Sequence, residues 1–297
     1  MGPWRDGRLN FFIFGIGFSG VEIAKAALAK GALVAGTTRS DAKAVRLAQE
    51  GIESFLFGAA APNAALSLRL KLVSHLLISI GPDAAGDPVL DALGKDLCRM
   101  MPALEWIGYL STVGVYGDHD GAWVDEETQC RPVSDRSIER LKAESAWRAL
   151  ADDMSKPLAI LRLSGIYGPG RNTFVNLNDG SARRIIKPGQ CFNRIHVADI
   201  AGAAMMLAGQ KADGLINVTD DEPAPPQDVV TYAAKLIGIE APPEIAYEDA
   251  KMSPMARSFY GEVKRVSNAK IRRLGYDFTY PNYRAALDDM WQNGRWR

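Results

Sequence analysis

The residues from Leu9 to Ser40 constrain the fold more than any other stretch of this chain. A mostly apolar run of strand length, Leu9–Phe14, breaks at the sequence Gly15-Ile16-Gly17-Phe18-Ser19-Gly20. Apolar residues then recur at helical spacing as far as Leu28, and a second apolar run begins at Ala32. Strand, Gly-x-Gly-x-x-Gly turn, helix and strand follow one another in the order that a dinucleotide-binding βαβ unit requires.

Each glycine of this motif has its own predicted role. Gly15 allows the tight turn, Gly17 lets the backbone approach a pyrophosphate, and Gly20 lets the helix pack against the strand. The start of the helix, with Phe18 and Ser19 in its first turn, offers N–H groups and a positive dipole end to the phosphates. The alternative is a glycine-rich turn between an ordinary strand and helix, which the correct order of all four pieces disfavours.

The end of the second strand predicts which dinucleotide binds. NAD-binding units usually place an acidic residue about 20 positions past the glycine motif, but this chain has Thr38, Arg39 and Ser40 there. A planar guanidinium bonds phosphate oxygens in pairs. These three residues therefore predict NADP(H), with NAD less favoured. In the alternative interpretation Arg39 is a solvated surface residue, and Ser40 or Asp41 caps the next helix.

The amino-acid composition limits the kinds of binding partner that this chain is expected to have. The 297 residues carry 35 basic and 35 acidic side chains, a balance that favours neither nucleic acid nor an anionic membrane as a partner. Three scattered cysteines are typical of reduced thiols in the cytoplasm, and no apolar run approaches the length of a membrane span. We expect a small-molecule substrate and no metal site, and a homodimer stays open.

Further apolar runs alternate with helical patterns along the chain, which predicts an α/β fold with a Rossmann-type doubly wound parallel sheet. The ligand then lies at the carboxyl ends of the strands, so Ile80, Gly81 and Pro82, which follow the fourth strand, are expected to contact the cofactor. Predicted strands are Ile52–Phe57, Leu72–Ile80, Leu104–Leu110 and Leu158–Leu163; predicted helices are Ser40–Gln49, Ala64–Lys71, Pro88–Met101 and Arg136–Ala151.

The C-terminal part reads as a small α/β substrate lobe, because proline-rich segments there bound a single helix. The predicted domains are residues 1–165, which bind the dinucleotide, and residues 166–297, which mainly bind substrate. Segments within about 194–222 are expected to return to the first domain.

Five motifs together resemble the extended short-chain dehydrogenase/reductase superfamily, the proteins similar to NAD-dependent epimerases and dehydratases. Their order and spacing carry the resemblance more than any one of them. They are Gly15-x-Gly17-x-x-Gly20, Ser111-Thr112…Val115-Tyr116-Gly117, Leu161-Arg162…Gly165-Ile166-Tyr167-Gly168-Pro169-Gly170-Arg171, Ile195-His196-Val197-Ala198-Asp199-Ile200 and Asn217-Val218-Thr219-Asp220.

The resemblance implies roles for particular residues. Thr112 aligns with the catalytic Ser/Thr that bonds the substrate oxygen. Gly165 and Ile166 are expected to contact the cofactor, and Tyr167 and Arg171 the substrate. The glycine motif departs from the superfamily's usual Gly-x-x-Gly-x-x-Gly, which indicates an atypical branch.

The resemblance also implies a catalytic Tyr-x-x-x-Lys pair followed by a glutamate, and neither the tyrosine nor the lysine stands at that position in this chain. In the superfamily a glutamate normally follows the lysine by four residues. If Glu144 is that glutamate, Arg140 stands at the lysine position and Arg136 at the tyrosine position. Arg140 keeps a cation that could bond ribose hydroxyls, whereas Arg136 gives up no proton at working pH. Two arginines one helical turn apart favour an anionic ligand, unless they belong to a solvated helix face.

Three functions remain open from the sequence. The leading one is an NADP(H)-dependent oxidoreductase or epimerase-like enzyme acting on a small anionic or sugar-like substrate, with Tyr116 as the first candidate proton donor. The second is a non-catalytic dinucleotide-binding sensor or regulatory protein, which the loss of the tyrosine favours. The third is an NAD-dependent nucleotide-sugar epimerase or dehydratase, which Arg39 disfavours.

Overall fold

The structure is a computed structural model that describes residues 9–58 and 63–297. Residues 1–8 and 59–62, which fall in the predicted first domain, lie outside the described residues. The strands are β1 Asn10–Phe14, β2 Leu33–Thr38, β3 Glu53–Leu56, β4 His75–Ile78, β5 Trp106–Thr112, β6 Trp123–Val124, β7 Leu158–Leu163, β8 Gly165–Tyr167, β9 Arg184–Ile186, β10 Arg194–His196, β11 Gly214–Val218, β12 Glu244–Ala246 and β13 Arg265–Val266.

The α-helices alternate with these strands through most of the chain. They are α1 Phe18–Ala29, α2 Asp41–Gln49, α3 Ala64–Leu70, α4 Pro88–Leu93, α5 Leu97–Met100, α6 Asp135–Asp153, α7 Thr173–Asn178, α8 Val197–Gln210, α9 Pro226–Leu236, α10 Pro254–Tyr260, α11 Ala269–Arg273 and α12 Tyr283–Gln292.

Seven strands form one parallel sheet in the order β11-β7-β5-β4-β1-β2-β3, flanked by helices. This is the predicted Rossmann-type α/β fold, which the structure confirms. The order reverses between β1 and β4, because β2 lies on one side of β1 and β4 on the other. Ligands of open parallel sheets bind in the crevice outside the carboxyl ends of such strands, which here are Phe14 and Ile78.

The central strands are buried because they are apolar along their whole length. Phe11, Phe12, Ile13 and Phe14 of β1 have no exposed surface, as expected of a strand covered on both faces. Phe14 also contacts Phe57 edge to face, with the ring centroids 5.0 Å apart. The buried middle of the sheet fixes the position of the loops that leave its carboxyl edge.

The sequence prediction of one long helix over Pro88–Met101 is wrong. Asp87 caps α4 by accepting hydrogen bonds from the backbone of Val89 and Leu90, but the helix ends at Leu93. A 3₁₀ turn, Gly94–Asp96, separates it from α5. Glycine in a helix interior costs about 1 kcal/mol relative to alanine, which explains a break beginning at Gly94.

The chain divides into two compact units. The first comprises the chain up to Thr112 together with Asp135–Arg162 and Ile200–Ile216, and it carries most of the seven-stranded sheet. The second comprises Val113–Ser134, Leu163–Asp199 and Asn217–Arg297, and includes three two-stranded parallel pairs. The domain limits expected from the sequence, 1–165 and 166–297, stay a prediction.

Candidate functional site

The turn after β1 has the geometry that its glycines predict. Gly15 has a φ of +85°, and a Cβ there would lie 2.6 Å from Cγ1 of Ile80, so only glycine fits. The Gly15 N–H donates to the hydroxyl oxygen of Thr37 at 2.8 Å, and the Ile16 N–H donates to the Thr37 carbonyl at 2.8 Å. The turn is thus held at the carboxyl ends of β2 and β4.

Gly17 and Gly20 meet different surroundings. Gly17 is exposed, and within the described part of the chain a Cβ there would find only the Gly15 carbonyl oxygen, 4.0 Å away. A Cβ on Gly20 would lie 3.0 Å from that same oxygen. Gly20 is therefore a packing position, whereas Gly17 leaves open space on the solvent side of the turn.

Helix α1 begins without a side-chain cap. Its N-cap is Gly17, which offers no oxygen to the N–H groups of the first turn, and Phe18 and Ser19 begin the helix. The first N–H groups of any helix lack intrahelical partners and attract anions. The open backbone at Gly17 and this uncapped helix start fit the pyrophosphate of a dinucleotide.

Thr37 is a site residue that the sequence reasoning missed. It is 1% exposed, and its side chain fixes the Gly15 N–H across 22 residues. A hydroxyl-bearing residue near the end of the strand after the glycine motif was the available signal. Thr38 next to it is also buried, and its hydroxyl accepts a hydrogen bond from the Ser40 N–H at 3.3 Å.

Arg39 follows β2 as an exposed cation. Within residues 9–58 and 63–297 it makes no hydrogen bond and no ion pair. Ser40 caps α2 by accepting from the Lys43 N–H, as the alternative interpretation of this stretch expected. That cap leaves the Arg39 guanidinium available, so it does not decide between the two interpretations, and the role of Arg39 stays a prediction.

Arg140 lies at the carboxyl ends of β4 and β5. Its Nη1 donates to the Leu110 carbonyl at 2.8 Å and to the Tyr109 hydroxyl at 3.2 Å. A Cβ on Gly81 would lie 3.0 Å from its Nη2, so glycine at this position provides room for the guanidinium. The structure therefore brings together Arg140, Gly81 and Ile80, three residues that the sequence assigns to the cofactor.

Tyr109 was not predicted from the sequence as a site residue. It is fully buried, with its ring centroid 5.5 Å from the guanidinium carbon of Arg140, and burial raises the pKa of its phenol above the usual value although the cation of Arg140 opposes the shift. Its phenol is therefore neutral, and it supports Arg140 through packing and one hydrogen bond. Nothing in the spacing of the sequence indicated this contact.

Glu144, one turn after Arg140 on α6, is buried with Arg162 of β7. The Arg162 Nη2 donates to Glu144 Oε2 at 2.7 Å, and its Nε donates to Oε1 at 3.2 Å. The Ser111 hydroxyl of β5 also donates to Oε1. Both charged side chains are 3% exposed. This network ties α6 to two strands of the sheet and so fixes the helix that carries Arg140.

Thr112 and Arg136 lie at the ends of their elements. Thr112 is the last residue of β5 and is half-buried. Arg136 stands in the first turn of α6, one helical turn before Arg140, and is exposed. The substrate roles expected for these two residues stay predictions.

Tyr116 lies in the second compact unit and has no exposed surface. Its hydroxyl donates to Oδ1 of Asn217 at 2.8 Å, and its ring belongs to a small apolar cluster with Val113, Val124 and Val266. The phenol is thus engaged with an amide oxygen in this structure. Its role as a proton donor stays a prediction.

All but one of the remaining predicted contacts lie in the second unit. Gly165 and Ile166 belong to β8, which pairs with β10, and Gly165 is exposed while Ile166 is half-buried. Tyr167 ends the same strand, its hydroxyl oxygen buried, whereas Arg171 is exposed. Pro82, in the first unit, is half-buried after β4.

The described residues contain neither a membrane-spanning helix nor a metal-binding cluster. None of their helices combines the length and the apolar character that crossing a membrane demands. Residues 9–58 and 63–297 also contain no group of three or more His, Cys, Asp or Glu side chains arranged to hold a metal ion.

Comparison with known proteins gives a family match. The model of the NAD dependent epimerase/dehydratase family matches residues 12–218, which include the glycine motif, α6 and β8. Among curated proteins, Protein YeeZ of Escherichia coli (strain K12) is 27% identical over 300 residues, covering 91% of this chain and 96% of that protein.

Solved structures extend the similarity over nearly the whole chain. A functionally unknown conserved protein from Silicibacter pomeroyi DSS is 43% identical with a TM-score of 0.87, covering 96% of this chain and 99% of that one. Two others share the fold: human epimerase family protein SDR39U1 (isoform 2) with NADPH, 16% identical, TM-score 0.72, coverage 96% and 100%; and UDP-glucuronic acid 4-epimerase from Bacillus cereus in complex with NAD, 17% identical, TM-score 0.74, coverage 97% and 99%.

Proposed function

The chain belongs to the NAD-dependent epimerase/dehydratase family of NAD(P)-binding proteins, and on that premise we propose that it is an NADP(H)-dependent oxidoreductase or epimerase-like enzyme. Its substrate is small and either anionic or sugar-like. Bound NADP(H) would supply or accept the hydride. The protein's own residues bind and orient the cofactor and hold the substrate oxygen.

The observation that carries the choice of NADP(H) is Arg39. It is exposed at the end of β2 and makes no ion pair within the described residues. An acidic side chain, which would bond a ribose 2′-hydroxyl, does not occur between Gly36 and Ser40. A 2′-phosphate offers oxygens that a guanidinium can bond in pairs, whereas it would be repelled by a carboxylate.

Arg140 supports a cation at the site even though the usual lysine is absent. Its Nη1 is held by the Leu110 carbonyl and the Tyr109 hydroxyl, which restricts the guanidinium to one position. A guanidinium held in place loses less conformational entropy when it binds hydroxyls or phosphate oxygens. We assign Arg140 to the cofactor and Thr112, at the end of β5, to the substrate oxygen.

The second candidate is a dinucleotide-binding regulatory protein without catalysis. The observation in its favour is that the phenol of Tyr116 is buried and donates to Asn217, while arginine stands at position 136, where the superfamily has its catalytic tyrosine. A screen of candidate substrates with NADP(H) separates the two functions. An oxidoreductase consumes the cofactor, an epimerase-like enzyme regenerates it while converting its substrate, and a regulatory protein does neither.

The cofactor proposal is tested by titrating NADPH and NADH into the wild-type protein and into Arg39→Ala. We expect the wild type to prefer NADPH. Arg39→Ala should weaken NADPH binding by about ten- to a hundredfold, since a charge-assisted hydrogen bond contributes about 1.5–3 kcal/mol. NADH binding should change by no more than about twofold, because no 2′-phosphate is lost.

Arg99→Ala is the matched control, because it also removes one exposed positive charge from the first compact unit. Among the described residues, Arg99 pairs only with Asp96, at 2.9 Å, so this variant should bind both cofactors like the wild type. Equal losses for NADPH and NADH in Arg39→Ala would show that Arg39 does not contact the 2′-phosphate. A wild type that prefers NADH would favour the NAD-dependent nucleotide-sugar enzymes instead.

A further inference from the structure

Arg194 is a cation of the second compact unit that has no carboxylate partner among the residues the structure describes. Its Nη1 donates to the carbonyl oxygens of Phe192 and Ala224, each at 3.0 Å, and its guanidinium carbon lies 5.9 Å from the ring centroid of Tyr283. Within the described ranges, no carboxylate lies at ion-pair distance from Arg194, and its Nε and Nη2 donate to no residue. Backbone carbonyls therefore fix this guanidinium while leaving donors unused.

Tyr167 shares one face of a two-stranded ribbon with Arg194. Strands β8 and β10 pair in parallel, with Gly165 opposite Arg194 and Tyr167 opposite His196, so side chains two residues apart point to the same side. The ring of Tyr167 packs edge-on against His196 at 5.3 Å. Its hydroxyl oxygen is buried without a hydrogen-bond partner among the described residues.

Asp220 completes the cluster from the loop after β11. Its backbone N–H donates to the carbonyl of Arg194 at 2.8 Å, and its side chain is 1% exposed. Oδ1 accepts from the Glu222 N–H at 3.2 Å, while Oδ2 has no hydrogen-bond partner in the described part of the chain. Of the ionisable groups near Arg194, Asp220 and Tyr167 interact with its charge most strongly.

The protonation of these groups makes all three hydrogen-bond donors. Burial raises the pKa of the Asp220 carboxyl to about 8, against the opposing effect of its hydrogen bond with Glu222, so the carboxyl carries a proton near neutral pH. Burial also raises the pKa of the Tyr167 phenol, and the charge of Asp220 adds to that shift. With the permanently charged Arg194, the cluster has a net positive charge and three donors.

The Tyr167 hydroxyl and Asp220 Oδ2 are costly to bury without partners, because each has lost its hydration without gaining a hydrogen bond within the described residues. The Arg194 cation beside them has no carboxylate at ion-pair distance in the same part of the chain. A carboxylate would satisfy them, since it accepts up to about four hydrogen bonds and neutralises one positive charge. A neutral hydroxyl group would leave the charge uncompensated. The chemistry of the cluster therefore selects an oxyanion over a neutral sugar.

We propose that Arg194, Tyr167 and Asp220 bind a carboxylate group of the substrate, so that this protein acts on a small carboxylic acid. The inference rests on the proposed function for the statement that the ligand is a substrate. Binding of the carboxylate itself does not, because every residue it requires lies in the second compact unit.

The test compares acetate with acetamide, which has nearly the same shape and no charge. Thermal unfolding of the full-length protein is followed at fixed ionic strength, with chloride replacing acetate in the reference. A ligand at about ten times its dissociation constant should raise the unfolding temperature by about 2–4 °C. We expect that rise with acetate, saturating with concentration, and none with acetamide.

Substitutions test whether the acetate effect depends on the residues of the proposed site. Arg194→Gln should abolish the acetate effect. Arg183→Gln is the matched control, because the exposed Arg183 also donates from Nη1 to two backbone carbonyls, those of Gly180 and Ala182, and it should leave the effect unchanged. If Arg194→Gln does not fold, Tyr167→Phe replaces it. That variant keeps the ring and should weaken acetate binding by about tenfold.

The proposal is overturned if acetate and acetamide act equally, if acetate has no effect on the wild type, or if its effect persists in Arg194→Gln. Where Arg194→Gln does not fold, the proposal is overturned if Tyr167→Phe binds acetate as tightly as the wild type. Absence of any acetate effect would assign the unpartnered polar atoms to internal water. NADPH titrations of the same samples keep the two proposals apart. Loss of NADPH preference with an intact acetate effect refutes the cofactor assignment alone, and the reverse result refutes the carboxylate site alone.

Discussion

Replacement of Glu144 by glutamine tests the buried network that fixes α6. Glutamine keeps one carbonyl oxygen, but it removes the charge that compensates Arg162 and puts an NH₂ group where a carboxylate oxygen accepted a hydrogen bond. Arg162 donates twice to Glu144 and Ser111 donates once, and both charged residues are 3% exposed. Breaking such a buried pair from one side typically costs about 3–5 kcal/mol, which we expect for Glu144→Gln.

The free energy of unfolding is measured by urea titration with circular dichroism, allowing for more than one transition because the chain has two compact units. Asp96→Asn is the matched control. It breaks the ion pair between Asp96 and Arg99, whose side chains are 58% and 79% exposed, and should cost less than about 1 kcal/mol. A similar small loss in both variants would refute the conclusion that Glu144 and Arg162 form a buried, mutually dependent pair.

Three further predictions concern the turn, a carboxyl group and a phenol. Gly17→Val should fold, because a Cβ there meets only the Gly15 oxygen at 4.0 Å, but should lose dinucleotide binding because the side chain fills the space for the pyrophosphate; unchanged affinity in calorimetry would contradict this. Asp220 has a folded-state pKa of about 8, above its unfolded value, so the stability from its neutral carboxyl is present below about pH 4 and is lost as the pH rises to about 8, by at most about 1.4 kcal/mol per unit. Asp220→Asn should flatten that loss, and parallel stability profiles for variant and wild type would disprove it. Tyr116→Phe leaves the buried Asn217 oxygen without the donor it has now and should cost about 1–3 kcal/mol of stability; if Tyr116 is also the proton donor, turnover falls by about 10²–10⁴ while NADPH binding persists, and undiminished turnover removes it from the mechanism.

The sequence by itself determined the elements whose signal is local. Strand, glycine turn, helix and strand can be read between Leu9 and Ser40 because hydrophobic period and glycine spacing depend only on neighbours along the chain. The parallel sheet followed from the alternation of such elements. The local pattern also gave one wrong prediction, a single helix over Pro88–Met101. The apolar periodicity continues past Gly94, although the helix is interrupted there.

The tertiary structure decided the contacts that join distant parts of the chain. Thr37 holds the Gly15 turn, Tyr109 and Gly81 place Arg140, and Glu144 meets Arg162 only because α6 packs on the sheet. No spacing encodes these contacts, since each depends on which strands are neighbours and which helix covers them.

The proposed carboxylate site in the second compact unit also depends on tertiary structure and not on sequence spacing. Tyr167, Arg194 and Asp220 are spread over more than fifty positions of the sequence, among many other polar residues. Pairing of β8 with β10 and one backbone hydrogen bond bring them together. Burial then sets the protonation of the carboxyl and the phenol, because desolvation depends on the surrounding fold and not on the residue itself.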